Sequence, residues 1–161
     1  MAEALVMKTS LFALVLLSAT AQAADTVNIT VSGTLTRPPC VLNTGTTLTA
    51  AFGNVRTDQV ATTETVAVPV RMTCPAGSSL NVSFSANNGT YTSTVAKTTA
   101  DNLGVSLLWA DNTAANLTGT TKAYSNLSGS VDISLKAQLV ARGALTPGAF
   151  TSAMVMTINY L

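Results

Sequence analysis

The chain has 161 residues, of which 9% are charged, and its formal net charge is +1. So little charge gives no basic field that would attract nucleic acid or an anionic membrane surface. The chain contains no histidine, which excludes serine-protease triads and the usual zinc sites, and no motif brings two of its acidic residues together. We therefore expect no enzyme activity, no metal, no cofactor and no small-molecule substrate.

The first residues are typical of an export signal. Lys8 precedes an apolar run at residues 11–17, and the Ala-Gln-Ala triplet at residues 21–23 has the small-x-small form of a cleavage site. We expect residues 1–23 to be a signal peptide, because the apolar run is too short to span a bilayer. The residues that remain are enough for one domain with a core and too few for two ordinary domains.

The segment directly after this signal alternates strictly between apolar and polar residues, a pattern that predicts a β-strand. One face of this strand carries Val27, Ile29, Val31, Gly33 and Leu35. The two prolines at residues 38–39 cannot continue a ladder, so the strand can leave the body of the domain. Alternatively, residues 27–35 are the first strand of a complete sandwich and pair with the domain's own last strand.

Two cysteines, Cys40 and Cys74, occur in the chain. The oxidising environment of an exported protein favours a disulfide between them over a metal site. Closing this loop should stabilise the fold by about 3–4 kcal/mol, if the effect arises from restricting the unfolded chain.

Short alternating runs continue after Cys40. In residues 66–74 apolar residues alternate with polar or small ones, which predicts a strand with one buried face. Pro69 within them marks an edge or a bulge, because proline has no N–H to donate to a ladder. A turn is predicted at residues 75–77, followed by a further strand at residues 80–84.

The second half of the chain has the same character. Residues 103–109 are more continuously apolar, which favours a central strand with its tryptophan in the core, and a turn is predicted before them at residues 87–89. Residues 131–139 alternate most regularly and predict a half-buried strand. With a weaker run near Thr47, about six strands follow residue 36, which favours a β-sandwich.

The last segment also alternates, and its apolar residues share one parity. They are Phe150, Met154, Met156, Ile158 and Tyr160. Because the sequence stops one residue later, at Leu161, we expect this strand to lie at a sheet edge without a following strand to cover it. Exposed apolar edges invite pairing, so a partner strand is expected there.

The two terminal patterns and the cysteines between them resemble chaperone–usher pilus subunits, especially type 1-like minor and tip-adaptor pilins. That family has an N-terminal extension of alternating apolar residues with a glycine near its end, as residues 24–35 do here. It also has a glycine fourteenth from the end and a penultimate tyrosine, positions that Gly148 and Tyr160 occupy. One disulfide joins the first two strands in such pilins, and Cys40 and Cys74 lie at comparable places.

The resemblance implies an all-β fold, an incomplete immunoglobulin-like β-sandwich that lacks its last strand and carries an N-terminal donor-strand extension. The signal peptide would be residues 1–23, the extension residues 24–36 and the pilin domain residues 37–161. The alternating residues of the extension would insert into a neighbouring subunit. The strand from Gly148 to Leu161 would pair with a chaperone strand and later with a donor strand, and basic chaperone residues would anchor the Leu161 carboxylate.

The resemblance also implies partners and a location. The partners would be a periplasmic pilus chaperone, an outer-membrane usher and neighbouring pilus subunits. The chain would pass through the periplasm into an extracellular fimbrium on the bacterial surface, polymerise there by donor-strand exchange as a minor or adaptor subunit, and support cell adhesion. The competing interpretation is a secreted immunoglobulin-like binding module that closes its own sandwich.

Overall fold

The computed structural model of the protein describes residues 26–35 and 39–161. The predicted signal peptide, its cleavage site and the first two residues of the predicted extension lie outside the described residues. The chain divides into two units between Thr34 and Leu35, and each is described by itself.

In the first unit, the described residues 26–34 belong to no strand. The side chains of Val27, Ile29 and Val31 are between 80% and 90% exposed to solvent, and Leu35, at the start of the second unit, is also fully exposed. Apolar and polar residues therefore alternate in this segment as in a strand, but the segment forms no backbone ladder with another strand. Residues 27–35, which the alternative interpretation makes the first strand of a closed sandwich, form no strand in the described chain.

The second unit is built almost entirely of β-strands. Its strands are β1 (Val41–Leu42), β2 (Val66–Val68), β3 (Arg71–Ala86), β4 (Thr90–Thr92), β5 (Val95–Lys97), β6 (Leu103–Leu108), β7 (Lys122–Asp132), β8 (Leu135–Ala141) and β9 (Met154–Tyr160). One short 3-10 turn, Val60–Thr62, precedes β2. No helix in the described part of the chain is long and apolar enough to cross a membrane.

The strands form two antiparallel sheets. Sheet A contains β3 at its centre, with β7 on one side and both β1 and β9 on the other, and sheet B has the order β2-β8-β6-β5-β4. Leu80 of β3 lies opposite Tyr124 of β7 and also opposite Tyr160 of β9, which places β7 and β9 on opposite edges of β3. The predicted β-sandwich is confirmed, and β6 is the central strand that the apolar run at residues 103–108 predicts.

The core lies between the two sheets, where alternate side chains of each strand point inward. Met72, Leu80 and Val82 of β3 are fully buried and pack with inward side chains of β6 and β8. Trp109 is 8% exposed, which confirms it as a core residue. Its ring packs edge-on against the ring of Phe84, with centroids 5.5 Å apart.

Two of the predicted strands are each divided between the sheets. Residues 66–74 form the end of sheet B and the start of sheet A, joined by residues 69–70, and residues 131–139 cross from β7 to β8 through residues 133–134. Because both sheets face one core, the buried residues keep the same parity across each crossing, so alternation alone shows no break. The break that Pro69 predicts is confirmed.

Two other predictions are wrong. No turn reverses the chain at residues 75–77; β3 continues through them, and a shift in its register against β7 between Cys74 and Ser78 accommodates the extra residues as a bulge. No strand forms near Thr47. Conversely, the sequence pattern misses most of β7, because seven of its eleven residues are exposed and its polar and apolar residues do not alternate cleanly.

The disulfide between Cys40 and Cys74 is present. It joins the residue that precedes β1 to the first part of β3, across a sequence separation of 34 residues. Both cysteines belong to the buried core. A loop of this length stabilises the fold by about 3–4 kcal/mol if it acts on the unfolded chain.

Polar groups hold the two sheet crossings together. Arg71 Nε donates to Asp132 Oδ2 at 3.0 Å, and the backbone N–H of Ser134 donates to Asp132 Oδ1 at 2.9 Å. The N–H of Val70 donates to Ser134 Oγ at 3.0 Å, and the N–H of Ile133 donates to the Val70 carbonyl at 2.9 Å. Strand ladders stop at the crossings, so these bonds satisfy backbone groups that the ladders leave unpaired.

We predict that Asp132 makes stability depend on acid pH. Hydrogen bonds from Ser134, and then from Arg71, lower the pKa of its carboxyl from 3.8 to about 2. The contribution of the ionised Asp132 carboxylate to the free energy of unfolding is present above about pH 4 and is lost as the pH falls through about 2. Because the side chain is 52% exposed, screening limits it to about 1 kcal/mol. Urea unfolding between pH 2 and 5 should show a shallower pH dependence for Asp132→Asn; identical slopes would contradict this role.

Candidate functional site: a groove beside the last strand

The last strand, β9, presents two different faces. Met154, Met156 and Ile158 are half-buried and pack against the core, whereas Val155 and Thr157 are exposed. This alternation follows the predicted parity. Tyr160 shares the parity of the inward residues but is largely exposed, at the end of the strand.

Only one edge of β9 is paired. All seven of its residues lie opposite residues of β3, from Met154 opposite Ala86 to Tyr160 opposite Leu80. Among the described residues, no strand pairs with the other edge. Backbone N–H and C=O groups along that edge are therefore available to a further strand.

A groove of about 800 Å³ opens beside this free edge. One wall is β9, and the other is the segment at residues 42–52, which we call the facing segment. The floor consists of side chains from the crossing after β2 and from sheet B, among them Val70, Val105, Leu107, Leu135 and Ala137. These floor residues belong to the core or pack against it. The groove thus reaches core side chains at the place where one more strand of sheet A would lie.

The facing segment packs against the core but does not pair with another strand. Leu42, Ala50 and Phe52 pack against the core, and between β1 and β2 the described chain forms no further strand. The hydroxyl of Thr44 is buried and has no hydrogen-bond partner among the described residues. The weaker alternating run near Thr47 predicts a strand in this segment; the segment lines the groove but forms no ladder.

The residues predicted ahead of the last strand lie at the end of this groove. Phe150 lines the groove and also a second cavity of about 350 Å³, which Gly148 and Leu145 line as well. Neither Gly148 nor Phe150 belongs to β9. The backbone N–H of Leu161 donates to the Ser79 carbonyl at 3.0 Å, so the chain stays paired with β3 one residue beyond the strand.

Sheet A has a second outer edge, on β7, but that edge is irregular. Asn126 and Gly129 of β7 have φ angles of 55° and 66°, in the left-handed region, and the register against β3 shifts nearby. Such kinks and bulges prevent regular pairing with another strand. Since β9 contains no residue with positive φ, it offers the regular free edge of sheet A.

Among the described residues, no group of three or more histidine, cysteine, aspartate or glutamate side chains could hold a metal ion. The groove itself is lined by apolar, threonine, serine and glycine residues and by no ionisable side chain. What this surface can do chemically is bury apolar side chains and pair with a backbone.

Comparisons with known proteins agree with this geometry. A family profile described as fimbrial protein matches residues 29–161, and no curated protein sequence matches the chain. The fold is similar to that of the P pilus rod subunit PapA, with a TM-score of 0.65 and 16% identity over 77% of this chain and 100% of that chain. The fold is also similar to that of the P pilus adaptor subunit PapF, with a TM-score of 0.57 and 23% identity over 77% of this chain and 97% of that chain.

A third similar structure is an antigen and type I fimbria protein of Burkholderia pseudomallei. Its TM-score is 0.54 and its identity 21%, over 78% of this chain and 90% of that chain. At these identities the likeness concerns the fold alone. The open sheets and this likeness together confirm the incomplete immunoglobulin-like sandwich.

We predict that a negative charge destabilises the domain at an inward residue of β9 and has little effect at the neighbouring outward residue. Met156→Asp should lower the free energy of unfolding by about 2–3 kcal/mol, because it replaces a packed apolar side chain with a charge at the groove wall. Val155→Asp, its matched control on the exposed face, should change it by less than about 0.5 kcal/mol. Denaturant unfolding of both variants measures the difference, and equal effects would contradict the facing assigned to β9.

Proposed function

Because the chain belongs to the family of fimbrial proteins, and is therefore a structural pilus subunit of the chaperone–usher type and not an enzyme, we propose that its groove receives a strand from another protein. The observation that carries the proposal is the free edge of β9 beside a groove that is floored by core side chains. A strand placed there would pair with β9 through main-chain hydrogen bonds and fill the groove with alternate side chains, which is β-augmentation.

The donor in the assembled fibre is the N-terminal extension of a neighbouring subunit. In this chain the extension is residues 24–36 and the pilin domain residues 37–161. Fully extended, residues 27–35 span about 26 Å, which is enough to run along the roughly 20 Å of β9. The exposed alternating side chains support this role, because nothing in the described unit to which they belong covers them.

The insertion has a defined face. Val27, Ile29, Val31 and Leu35 are the side chains that enter the groove, and each contributes about 1.5–3 kcal/mol when buried. Gly33 shares their parity but has no side chain, so the groove site opposite it stays shallow. The polar residues between them remain on the solvent side, as in an ordinary half-buried strand.

Before the neighbouring subunit arrives, the groove needs another occupant. A periplasmic chaperone supplies a strand that pairs with β9, and an outer-membrane usher then exchanges it for the extension of the next subunit. This order keeps the apolar floor covered, since a core left open to water invites aggregation. The assembled product is an extracellular fimbrium that supports cell adhesion, reached through the periplasm.

A subunit that has both a groove and an extension is linked to a neighbour on each side. That arrangement suits a minor or adaptor subunit placed between other subunits of the fibre.

We predict that a donor peptide stabilises the domain. The protein would be the mature chain from residue 24 with Ile29→Asp and Val31→Asp, so that its own extension cannot compete. A peptide of residues 24–35 should raise the free energy of unfolding by about 2.7 kcal/mol at 100 times its Kd. Thermal unfolding with increasing peptide measures the effect.

Two peptide variants make the test specific. The peptide with Ile29→Asp and Val31→Asp should have no effect, because two charges would enter an apolar groove. The matched control with Asn28→Asp and Thr30→Asp adds the same charge on the solvent face and should still stabilise. A stable monomer that ignores all three peptides would instead indicate a binding module that closes its own sandwich.

A further inference from the structure

A second surface, on the outer face of sheet B, brings two cationic side chains to one aromatic ring. Lys97 Nζ lies 5.4 Å from the ring centre of Tyr91, and Arg142 Cζ lies 5.9 Å from it. Both cationic residues are exposed, and Tyr91 is partly buried. We call these three residues the basic–aromatic cluster.

The cluster exists because Gly104 leaves space for it. Gly104 pairs with Lys97 on one side and with Val140 on the other, so the alternation of strands puts Lys97 and Arg142 on the same outer face. A Cβ atom at Gly104 would overlap the side chain of Val95 and lie 3.4 Å from Tyr91 Cδ2. The Val95 side chain therefore fills most of the room that a side chain at residue 104 would need, and the tyrosine ring lies at the edge of that space.

The charges of the cluster are not balanced within the described part of the chain. Arg56 and Arg71 form ion pairs with aspartates at 2.9 and 3.0 Å, and Lys136 donates to Asn112 Oδ1 at 2.8 Å. The head groups of Lys97 and Arg142 form no ion pair or hydrogen bond with a described residue. Two like charges near one ring repel each other, and an anion between them would remove that cost.

We propose that the basic–aromatic cluster binds the sulfate or carboxylate group of an acidic glycan. A guanidinium fork and an ammonium group together offer the donors that such an anion accepts, and charge-assisted hydrogen bonds of this kind are strong. The net charge of +1 supplies no long-range attraction, so recognition depends on contact at the cluster and weakens with salt.

The surroundings favour a glycan over a protein surface. The exposed large apolar residues of the chain are Val27, Ile29, Val31, Leu35, Val41, Leu48, Val155, Tyr160 and Leu161, and none of them belongs to sheet B. Protein interfaces are usually anchored by a desolvated apolar centre, whereas the aromatic ring of this face is flanked by two exposed cations. Thr90 and Thr92 flank Tyr91 on β4 and offer hydroxyl groups to a polyhydroxylated ligand.

The test is a calorimetric titration of the full chain with a sulfated heparin hexasaccharide. We expect binding to the native chain, a loss of affinity of about tenfold or more for Lys97→Ala and for Arg142→Ala, and unchanged affinity for Lys136→Ala. All three are exposed or half-exposed positions, so circular dichroism should confirm the same fold in each variant. Since the cluster lies on sheet B and β9 on sheet A, failure of the glycan to bind leaves the groove proposal untouched.

Two parallel titrations identify the recognised chemistry. The same hexasaccharide without its sulfate groups should bind more weakly, and a hexaglutamate peptide should bind more weakly than the sulfated glycan. Equal affinity for hexaglutamate would show a docking surface for acidic proteins and overturn the proposal. Absence of heparin binding, or an equal loss of affinity in Lys136→Ala, would overturn it as well.

Discussion

The structure depends on the hydrogen bonds that β9 forms on one side only. A strand at the edge of a sheet is ordinarily protected by charge, by irregularity or by covering structure. Here β9 is regular, uncharged over Met154–Tyr160 and uncovered, and the groove next to it reaches the floor of the core. The domain is consequently a sandwich whose hydrophobic interior is complete only when another backbone is added.

The protein separates the edge that pairs from the edge that does not. On β7, Asn126 and Gly129 bend the backbone into left-handed conformations, and Asp132 places a charge at the end of the strand. These features oppose regular pairing, so self-association through the wrong side of sheet A is disfavoured. Among the described strands of sheet A, regular pairing is therefore possible only along the free edge of β9. Pairing along a single edge suits a family of proteins that assemble into ordered fibres.

The sequence predicted the fold class, the disulfide and the facing of β9, because each depends on local alternation or on the compartment. It did not predict that residues 131–139 change sheets, since the parity of buried residues is the same on both sides of the crossing. Most of β7 escaped because its polar and apolar residues do not alternate cleanly, although Tyr124, Leu127 and Val131 pack against the core. The strand predicted near Thr47 does not form, because the facing segment packs against the core at Phe52 without a neighbouring strand to pair with.

The disulfide also decides how the molecule would carry mechanical load. In a fibre whose subunits are joined through their extensions, tension enters the domain at Cys40, a few residues after Leu35. The bond to Cys74 transfers that force directly to β3, and β3 passes it to β9 through a ladder of seven residue pairs. The loop between the two cysteines is bypassed, so the facing segment is shielded from stretching. Pulling would therefore shear a long antiparallel ladder, in which many hydrogen bonds share the force, and would not peel the domain open from its first strand.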